Sequence, residues 1–548
     1  DVYFAQGYAH AQDRLFQMVL LKHMFLGRMS EIFGEKTIKL DQYMRLFNIR
    51  NAAISSYPHL SSETKSMLEA YASGVNQYID ENRATLEAKL LGYQFEHWHP
   101  RDSLVIQKAI AFDLSRHWPR IMKNTVLAQK HGNEILDVFF PDEEVTEPSV
   151  TDKDLLKNKL PYRSSIKVYE DGPEIPEGVV ESLESFAILN DGVLKGMSTD
   201  DTMAPGSNAW VVAPERTESG LPILASDPHL TYNVPNTFYL INLRSKLIDI
   251  SGASVPGSPG VIIGRNAHFS WGFTNSRLAQ CDLYYGKNIS GKKQRNEKIK
   301  VSGGADISVS YVDTDYGTLI SDEGAPYEVA LNWTGMAKMD RTLDSLYRIN
   351  TGSSIAEVKP YLKFFHTPAQ NMVMADDQGN YGFYALGHVP IRQHSGRIAV
   401  PATPEYRWQG FIPSWEMPYV ENPERGYVMN CNNLVTSKHY GYNLTRLGYD
   451  DLRAVRLSKL LQEDRRFEFE DVRRMQMDNE DQEWMIMKEV LMKTTPGSKQ
   501  AVKALKALEN WDGQASKDSY EVTIYSTWQR NISAKIYQSI TSTLPKWA

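Results

Sequence analysis

One short stretch constrains this chain more than any other, because it places a reactive hydroxyl at the start of a buried strand. After a Pro-Gly turn, Ser207 is followed by the apolar run Ala209–Ala213, which is typical of a buried strand. A second strand-like run, Pro222–Ala225, leads into Asp-Pro-His-Leu at 227–230. Adjacent strands would bring Ser207 and His229 to neighbouring positions. An isolated Gly-Ser dipeptide is common, so the interpretation depends on companion motifs.

The pairing of Gly-Ser-Asn-x-Trp-Val-Val with Asp-Pro-His-Leu resembles the penicillin acylase family of N-terminal nucleophile hydrolases, which includes the cephalosporin and acyl-homoserine-lactone acylases. In that family a precursor cuts itself before a serine, which becomes the first residue of the large β-chain. The resemblance implies that Gly206–Ser207 is the self-cleaved bond and that Ser207 is the nucleophile. Gly206 suits the first step, since a residue without a Cβ tolerates the strained backbone of an N-to-O acyl shift.

Release of the chain terminus would supply the base that the serine needs. A serine hydroxyl is a weak nucleophile without a neighbouring base. An α-amino group, whose reference pKa is roughly 8, is partly neutral at ordinary pH and can accept the hydroxyl proton through one water molecule. The resemblance therefore implies a hydrolase of linear amide C–N bonds that works through an acyl-enzyme on Ser207.

Two further motifs resemble the family's oxyanion hole, the pair of donors that stabilises negative charge on the reacting carbonyl oxygen. The segment Ser-Trp-Gly-Phe-Thr-Asn that ends at Asn275 implies that the backbone N–H of Asn275 is the first donor. The run Gly426–Asn433 implies that the side-chain amide of Asn432 is the second, with Asn430 and Asn433 as alternatives if the register is shifted. An asparagine amide suits this role because it donates without titrating.

Two charged or titratable residues are assigned by the same resemblance. His229 matches a histidine of the cephalosporin and homoserine-lactone acylases, and we expect it to orient the serine hydroxyl or to donate its backbone to that network. A structural histidine is the alternative. Arg453 matches the arginine that holds the catalytic asparagine and can face a substrate carboxylate. A surface ion pair is its alternative role, and Arg456 is the second candidate.

Three apolar positions predict the acyl-binding pocket. Leu230 and Ile263 match pocket positions of the family, and Phe112 lies in the helix that reaches the pocket, although core packing is an equally good interpretation of Phe112. The aliphatic side chains favour an aliphatic or flexible acyl group over an aromatic one. The implied substrate is a small N-acyl amide, either a β-lactam side-chain amide or an N-acyl-homoserine lactone.

A structural calcium is not expected, although many family members bind one through acidic ligands of both chains. Two expected aspartates are Ala279 and Asn443 in this sequence, and the expected glutamate of the α-chain is Ile121. Only Asp282 remains acidic. The sequence therefore argues against bound calcium, and the implied chemistry requires no other cofactor.

Composition argues against several other classes of protein. A net charge of −7 and a pI near 6.1 give no electrostatic footprint for nucleic acid. No run approaches the roughly 18 to 20 apolar residues that cross a bilayer, and no signal peptide opens the chain. Cys281 and Cys431 are expected to be two buried thiols, with a single bridge as the alternative. The start inside a helix suggests that the native N-terminus is missing, and the resemblance implies a periplasmic or secreted protein.

The 548 residues exceed one ordinary domain. Residues 1–145 are predicted to be a helical α-chain part. Residues 146–206 are rich in proline and polar residues, and they resemble the spacer that the family removes after self-cleavage. Residues 207–548 are the β-chain part, which is strand-rich, helical beyond about residue 451, and truncated at its C-terminus. Apolar spacings of three and four predict early helices at 2–32, 62–80 and 102–114, the last with Asp102 as its N-cap.

The resemblance implies an α+β fold, the four-layer αββα sandwich of N-terminal nucleophile hydrolases with the helical α-chain part wrapped against it. It also implies an α- and β-chain heterodimer made from one precursor. One alternative is an uncleaved or catalytically silent family member that acts as a binding protein. Another is a conventional Ser-His-Asp hydrolase, although the Gly-x-Ser-x-Gly elbow of the α/β-hydrolases is missing around Ser207.

Overall fold

The computed structural model describes residues 2–82, 85–139, 147–165, 167, 169–197, 206–444, 451–541, 544, 545 and 547. The α-helices are α1 (Val2–Leu26), α2 (Ser30–Phe33), α3 (Ile38–Leu46), α4 (Ile49–Ser56), α5 (Ser62–Asn82), α6 (Leu86–Leu91), α7 (Pro100–Ser115), α8 (Trp118–His131), α9 (Ile135–Phe139), α10 (Asp152–Lys157), α11 (Val179–Met197), α12 (Thr342–Thr351), α13 (Ile355–Val358), α14 (Leu452–Leu461), α15 (Phe469–Gln476), α16 (Gln482–Met492), α17 (Lys499–Leu508) and α18 (Tyr520–Thr541). The strands are β1 (Gly206–Val212), β2 (Ile223–His229), β3 (Tyr239–Arg244), β4 (Asp249–Ser254), β5 (Ile263–Arg265), β6 (Phe269–Asn275), β7 (Cys281–Gly286), β8 (Lys293–Ile299), β9 (Ile307–Thr314), β10 (Gly317–Leu319), β11 (Glu328–Trp333), β12 (Gln370–Asp376), β13 (Tyr381–Leu386), β14 (Val400–Pro401), β15 (Tyr419–Glu421) and β16 (Tyr427–Asn430).

Local sequence signals explain the helix ends, and two of them correct the predicted bounds. Helix α1 ends at Leu26, earlier than predicted, because Gly27 adopts the left-handed conformation (φ 61°) that closes a helix. Helix α7 has His99 rather than Asp102 as its N-cap. The Asp102 carboxylate accepts the His99 backbone N–H at 2.9 Å, so Asp102 completes a capping box from the third helical position.

Strand β1 is apolar on both faces, which allows it to lie between two layers. It pairs antiparallel with both neighbours in a three-stranded sheet of order β16-β1-β2. Successive side chains of a strand point to opposite faces. Ala209 and Val211 pack with Val373 and Phe383 of the adjoining sheet, whereas Trp210 packs on the other face against helices.

Four layers result from this arrangement. The adjoining sheet has seven strands in the order β15-β13-β12-β6-β5-β4-β3. Its outer face packs against α12 and α13, as in the cluster of Trp271 with Ile355. The outer face of the three-stranded sheet packs against α14 and α15, as in the cluster of Trp210 with Leu457 and Val472. The order is helix, sheet, sheet, helix, so the predicted α+β class and αββα sandwich are confirmed.

The helical part of the chain is held by a third sheet, of six strands in the order β14-β7-β11-β10-β9-β8. One large core joins helices α1, α3, α4, α7, α8 and α11 to strands β7, β9 and β11 of this sheet. At its centre the rings of Phe47, Phe112, Trp118 and Trp333 lie 5.0 to 5.9 Å apart. The helical part is therefore attached by aromatic packing that extends to the end of β11.

The predicted spacer at 146–206 contains more structure than its composition indicates. Helix α11 buries Val179, Leu183 and Phe186 in the large core, and the Phe186 ring stacks on Tyr43 at 5.8 Å. These positions are spaced by three and four, a helix signal that the mixed composition of the longer stretch obscures. The polar run 198–202 lies outside the described residues. The bounds of a spacer remain a prediction.

Two expectations from composition can be compared with the structure. Cys281 and Cys431 are both free and buried, which confirms two thiols rather than a bridge. Burial raises the pKa of each thiol to about 12, so both stay protonated near neutral pH. Across the described residues, no helix has both the length and the apolar character that a bilayer crossing needs.

The packing of α11 predicts a large difference between two substitutions on the same helix. Phe186→Ala leaves a cavity beside Tyr43 and should lower the free energy of unfolding by about 3 to 5 kcal/mol. Ile188 is 57% exposed, and Ile188→Ala should change it by about 0.5 kcal/mol or less. Urea unfolding followed by circular dichroism compares them. Equal effects of the two substitutions would contradict the placement of α11 in the core.

Candidate active site

Antiparallel pairing of β1 and β2 brings the two sequence motifs side by side, as predicted. Gly206 lies opposite His229, and Ser207 lies opposite Pro228. Ser207 is the second residue of β1 and is only 6% exposed. By strand alternation its side chain shares the face of Ala209, so the hydroxyl lies between the two stacked sheets.

The side chain of Asn432 holds Ser207 at two atoms. Its Nδ2 donates to Ser207 Oγ at 3.1 Å, and its Oδ1 accepts the Ser207 backbone N–H at 2.7 Å. Asn432 is buried and has a left-handed φ of 63°, which asparagine tolerates better than most residues. The amides of Asn430 and Asn433, the alternatives in a shifted register, accept backbone N–H groups within the same turn.

The side-chain amide of Asn432 also contacts Asn275. Asn432 Nδ2 donates to the Asn275 carbonyl oxygen at 2.8 Å, so both residues predicted for the oxyanion hole lie beside Ser207. The Asn275 side chain donates to the Leu114 carbonyl at the end of α7 at 3.0 Å, which fixes the end of β6 against the helical part. Its backbone N–H as an oxyanion donor remains a prediction.

Arg453, at the start of α14, joins these groups through its guanidinium. Nη1 donates to the Ser207 carbonyl at 3.0 Å and to Asn208 Oδ1 at 2.7 Å, and Nη2 donates to Asn432 Oδ1 at 3.0 Å. The planar fork of an arginine suits several acceptors at once. Arg453 therefore contacts the asparagine as expected, whereas Arg456 forms ion pairs with two carboxylates beyond α15.

The side chain of His229 lies on the other face of β1, which corrects the expectation that it orients the serine hydroxyl. Because His229 pairs with Gly206, its side chain projects away from that of Ser207. Its Nε2 lies 2.9 Å from Asp227 Oδ2 and 3.3 Å from Asn208 Nδ2. These contacts fit the structural alternative, and a backbone role of His229 remains a prediction.

Close packing surrounds Gly206 on that same face. A Cβ added there would lie 3.1 Å from Arg453 Nη2 and 3.2 Å from His229 Nδ1. Both distances are shorter than ordinary van der Waals contact, so a side chain would have to displace the guanidinium or the imidazole. A side chain at 206 therefore needs the Arg453 guanidinium or the His229 ring to shift by a few tenths of an ångström.

A cavity of about 340 Å³ opens on the helix face of β1, lined by Asn208, Trp210, Asp227 and Arg453 together with residues of α14 to α16. It lies opposite the face that carries the Ser207 hydroxyl. Sequence reasoning missed Asn208 and Asp227, which share that face with His229. The alternation of side chains within the two motifs could have identified them.

The structure places the three predicted acyl-pocket residues in different surroundings. Leu230 is half-buried just after β2, and Ile263 is half-buried in β5 beside the cluster of Trp271. Phe112 is fully buried, with the rings of Phe25 and Trp118 each 5.4 Å away. The structure thus corrects the pocket assignment of Phe112, which is a core residue of the helical part.

The residues at the family's calcium position do not fit a metal. Arg392 Nε donates to Asp282 Oδ2 at 2.7 Å, and Arg392 Nη2 donates to the Ala279 carbonyl at 2.9 Å. The Asn443 amide donates to two backbone carbonyls, and Ile121 is buried in the large core. Within the described ranges, no group of three or more His, Cys, Asp or Glu side chains could hold a metal ion. The one acidic residue of the set, Asp282, is paired with the Arg392 guanidinium.

Two known proteins are similar to this chain over nearly its whole length. Penicillin acylase 2 proenzyme of Pseudomonas sp. (strain SE83) is 29% identical over 97% of this chain and 68% of its own length. Acyl-homoserine lactone acylase QuiP of Pseudomonas aeruginosa is 25% identical over 98% of this chain and 66% of its own. The chain thus spans about two thirds of the length of both relatives.

A solved structure and a family description complete the comparison. Thermostable penicillin G acylase from Alcaligenes faecalis, in its orthorhombic form, matches 57% of this chain and 60% of its own, with 21% identity and a TM-score of 0.49. The sequence model of the family described as Penicillin amidase matches residues 1–547. Because that match covers nearly the whole sequence, the chain belongs to the penicillin amidase family.

Proposed function

We propose that this chain hydrolyses N-acyl amides, with Ser207 as an N-terminal nucleophile released by cleavage of its own Gly206–Ser207 bond. The observation that carries the proposal is the double contact of Asn432 with Ser207, which holds both the hydroxyl and the nitrogen that cleavage would free. Two relatives are named as acylases, and one of these as a proenzyme, which supports the same conclusion.

In the cleaved enzyme the freed amine keeps its contact with Asn432 Oδ1 and takes the proton of Ser207 Oγ through one water molecule. The deprotonated Oγ bonds to the substrate carbonyl carbon. The C–N bond then breaks as the amine product takes up that proton, and an acyl-enzyme ester remains on Ser207. Water attacks the ester by the same route, which releases the acid and restores the hydroxyl.

Orientation of the Asn432 amide decides whether it can stabilise the oxyanion. Its Oδ1 accepts from Ser207 and from Arg453, so the Nδ2 end must face Ser207 Oγ and the Asn275 carbonyl. Both Nδ2 hydrogens are engaged there. When Oγ bonds to the substrate carbon, the hydrogen that Oγ received becomes available to the adjacent carbonyl oxygen. Arg453 thus acts by preventing the amide from flipping.

The proposed substrates are the two classes that the relatives' names describe, a penicillin or an acyl-homoserine lactone. The half-buried aliphatic side chains of Leu230 and Ile263 support an aliphatic acyl group. Cleavage before Ser207 would give an α- and β-chain heterodimer. A periplasmic or secreted location is proposed from the family resemblance alone.

Loss of the serine hydroxyl should abolish both maturation and turnover. We expect Ser207→Ala to stay uncleaved and to hydrolyse phenylacetyl, glutaryl and fatty acyl amides about a thousandfold or more slowly than wild type. Wild type should yield a β-chain that begins Ser-Asn-Ala-Trp on N-terminal sequencing. Ser219→Ala, in the exposed turn between β1 and β2, is the matched control and should behave as wild type. Equal turnover by wild type and Ser207→Ala would remove the serine from the mechanism.

A side chain at position 206 should slow self-cleavage. Gly206→Ala must displace Arg453, which three acceptors hold, and misplacement of reacting groups by a fraction of an ångström can cost about tenfold in rate. Gly497→Ala is the control, because nothing lies within 4 Å of the added Cβ. The cleaved fraction is followed by gel electrophoresis over time. Wild-type cleavage by Gly206→Ala would contradict the proposed role of this packing.

We also propose that the protein needs no calcium, because Arg392 supplies the positive charge at Asp282. Both side chains are 1% exposed. A buried carboxylate is stable only when it is paired, and removal of one partner of such a pair leaves an uncompensated charge. The Trp408 indole N–H also donates to Asp282 Oδ2, which adds a neutral donor to the pair.

Calcium removal should therefore leave stability unchanged, whereas removal of the guanidinium should not. We expect EDTA to have no effect on the Tm of wild type and Arg392→Met to lower the free energy of unfolding by about 3 to 5 kcal/mol. Arg473→Met, which removes an exposed ion pair with Glu470, should cost at most about 1 kcal/mol. A fall in the Tm of wild type with EDTA, reversed by added calcium, would overturn the proposal.

A further inference from the structure

A second buried asparagine, Asn430, lies behind the amide that contacts Ser207. It ends β16 and is fully buried. Its Oδ1 accepts three hydrogen bonds, from the Asn432 backbone N–H at 2.9 Å, from Thr274 Oγ1 at 2.6 Å and from Asn371 Nδ2 at 3.0 Å. One side-chain carbonyl thus joins the ends of β16 and β6 to the neighbouring strand β12.

Two of the donors to Asn430 belong to, or lie next to, the residues proposed for the oxyanion hole, Asn432 and Asn275. Thr274 directly precedes Asn275 in β6. The Asn432 N–H belongs to the residue whose left-handed φ turns its amide toward Ser207. Thr274 and Asn371 are each 1% exposed, so water does not compete for these bonds. Asn430 Oδ1 therefore fixes both donor segments relative to each other.

The other end of the Asn430 amide is held by the part of the chain that precedes Ser207. Asn430 Nδ2 donates to Ser149 Oγ at 2.9 Å, and Ser149 Oγ donates to the Met429 carbonyl at 2.8 Å. We call residues 147–150 the tether. The tether runs beside the segment after Asn433, since the Val150 N–H donates to the Val435 carbonyl at 2.8 Å.

We propose that Asn430 is a positioning residue of the oxyanion hole and that the Ser149 hydroxyl of the tether completes its hydrogen bonding. This role rests on the proposed amide hydrolysis. Asn430 touches neither the nucleophile nor the substrate. It acts by holding Asn432 and the residue before Asn275, so its loss affects the transition state more than substrate binding.

The test compares kcat and KM of the matured enzyme with those of variants on one hydrolysed N-acyl amide. Asn430→Leu removes both hydrogen-bonding ends and should lower kcat about tenfold to a hundredfold with KM nearly unchanged. Asn430→Asp keeps the acceptor oxygen that takes the three hydrogen bonds and should recover part of the lost kcat. Thr274→Val and Ser149→Ala each remove one hydroxyl and should give smaller losses of the same kind.

Asn350 provides the matched control. It is also buried, at 3% exposed, and its amide makes two hydrogen bonds to the Val261 backbone in another layer of the sandwich. Asn350→Leu should lower Tm without changing kcat. Wild-type kcat in Asn430→Leu, or an equal fall in Asn350→Leu, would overturn the proposal. If Asn430→Leu does not fold, wild-type kcat in Thr274→Val would overturn it. A wild type with no amide turnover would instead reject the proposed function.

Discussion

The paired hydrogen bonds between the Asn432 amide and Ser207 are the constraint on which the rest of the site depends. An amide can hold a backbone N–H and a hydroxyl together only if its oxygen and nitrogen ends cannot exchange places. Arg453 prevents that exchange by donating to the oxygen end, and the Asn275 carbonyl prevents it by accepting from the nitrogen end. This orientation of the amide requires Asn432 to adopt a left-handed backbone conformation, which is energetically unfavourable for a residue other than glycine. The rigid strands of the β-sandwich hold Asn432 in that conformation.

The two faces of β1 carry different groups: the proposed nucleophile lies on one face, and the residues that pack around Arg453 lie on the other. The face of Ser207 looks between the sheets, where water is scarce and a preorganised amide dipole stabilises charge most strongly. The opposite face carries Gly206, Asn208 and the His229 ring, packed around the guanidinium of Arg453. Arg453 contacts groups on both faces of β1 because it lies beside the beginning of this strand. Its position links the proposed cleavage point to the Asn432 amide.

The family resemblance of the motifs singled out Ser207, Asn432 and Arg453, and the structure brings these three residues into contact. The sequence could not show which face His229 would take, since a one-residue change of register reverses the faces of a strand. The sequence also could not show whether Phe112 lines a pocket or packs in a core, because both roles need an apolar side chain at helical spacing. Asn430 stood inside a recognised motif, but its role arises only from donors on distant segments.

The contacts of the tether and of α11 bear on the predicted spacer at 146–206. If residues 146–206 were removed as predicted, the Asn430 amide would lose the Ser149 hydroxyl and keep only a long bond, of 3.4 Å, to the Asn433 carbonyl. A buried N–H left without a partner costs about 1 to 3 kcal/mol. The large core would also lose Phe186 and the rest of α11. Excision confined to the stretch between Met197 and Ser207 avoids both losses. Both contacts therefore favour a spacer shorter than the predicted 146–206, with the tether retained beside Asn430.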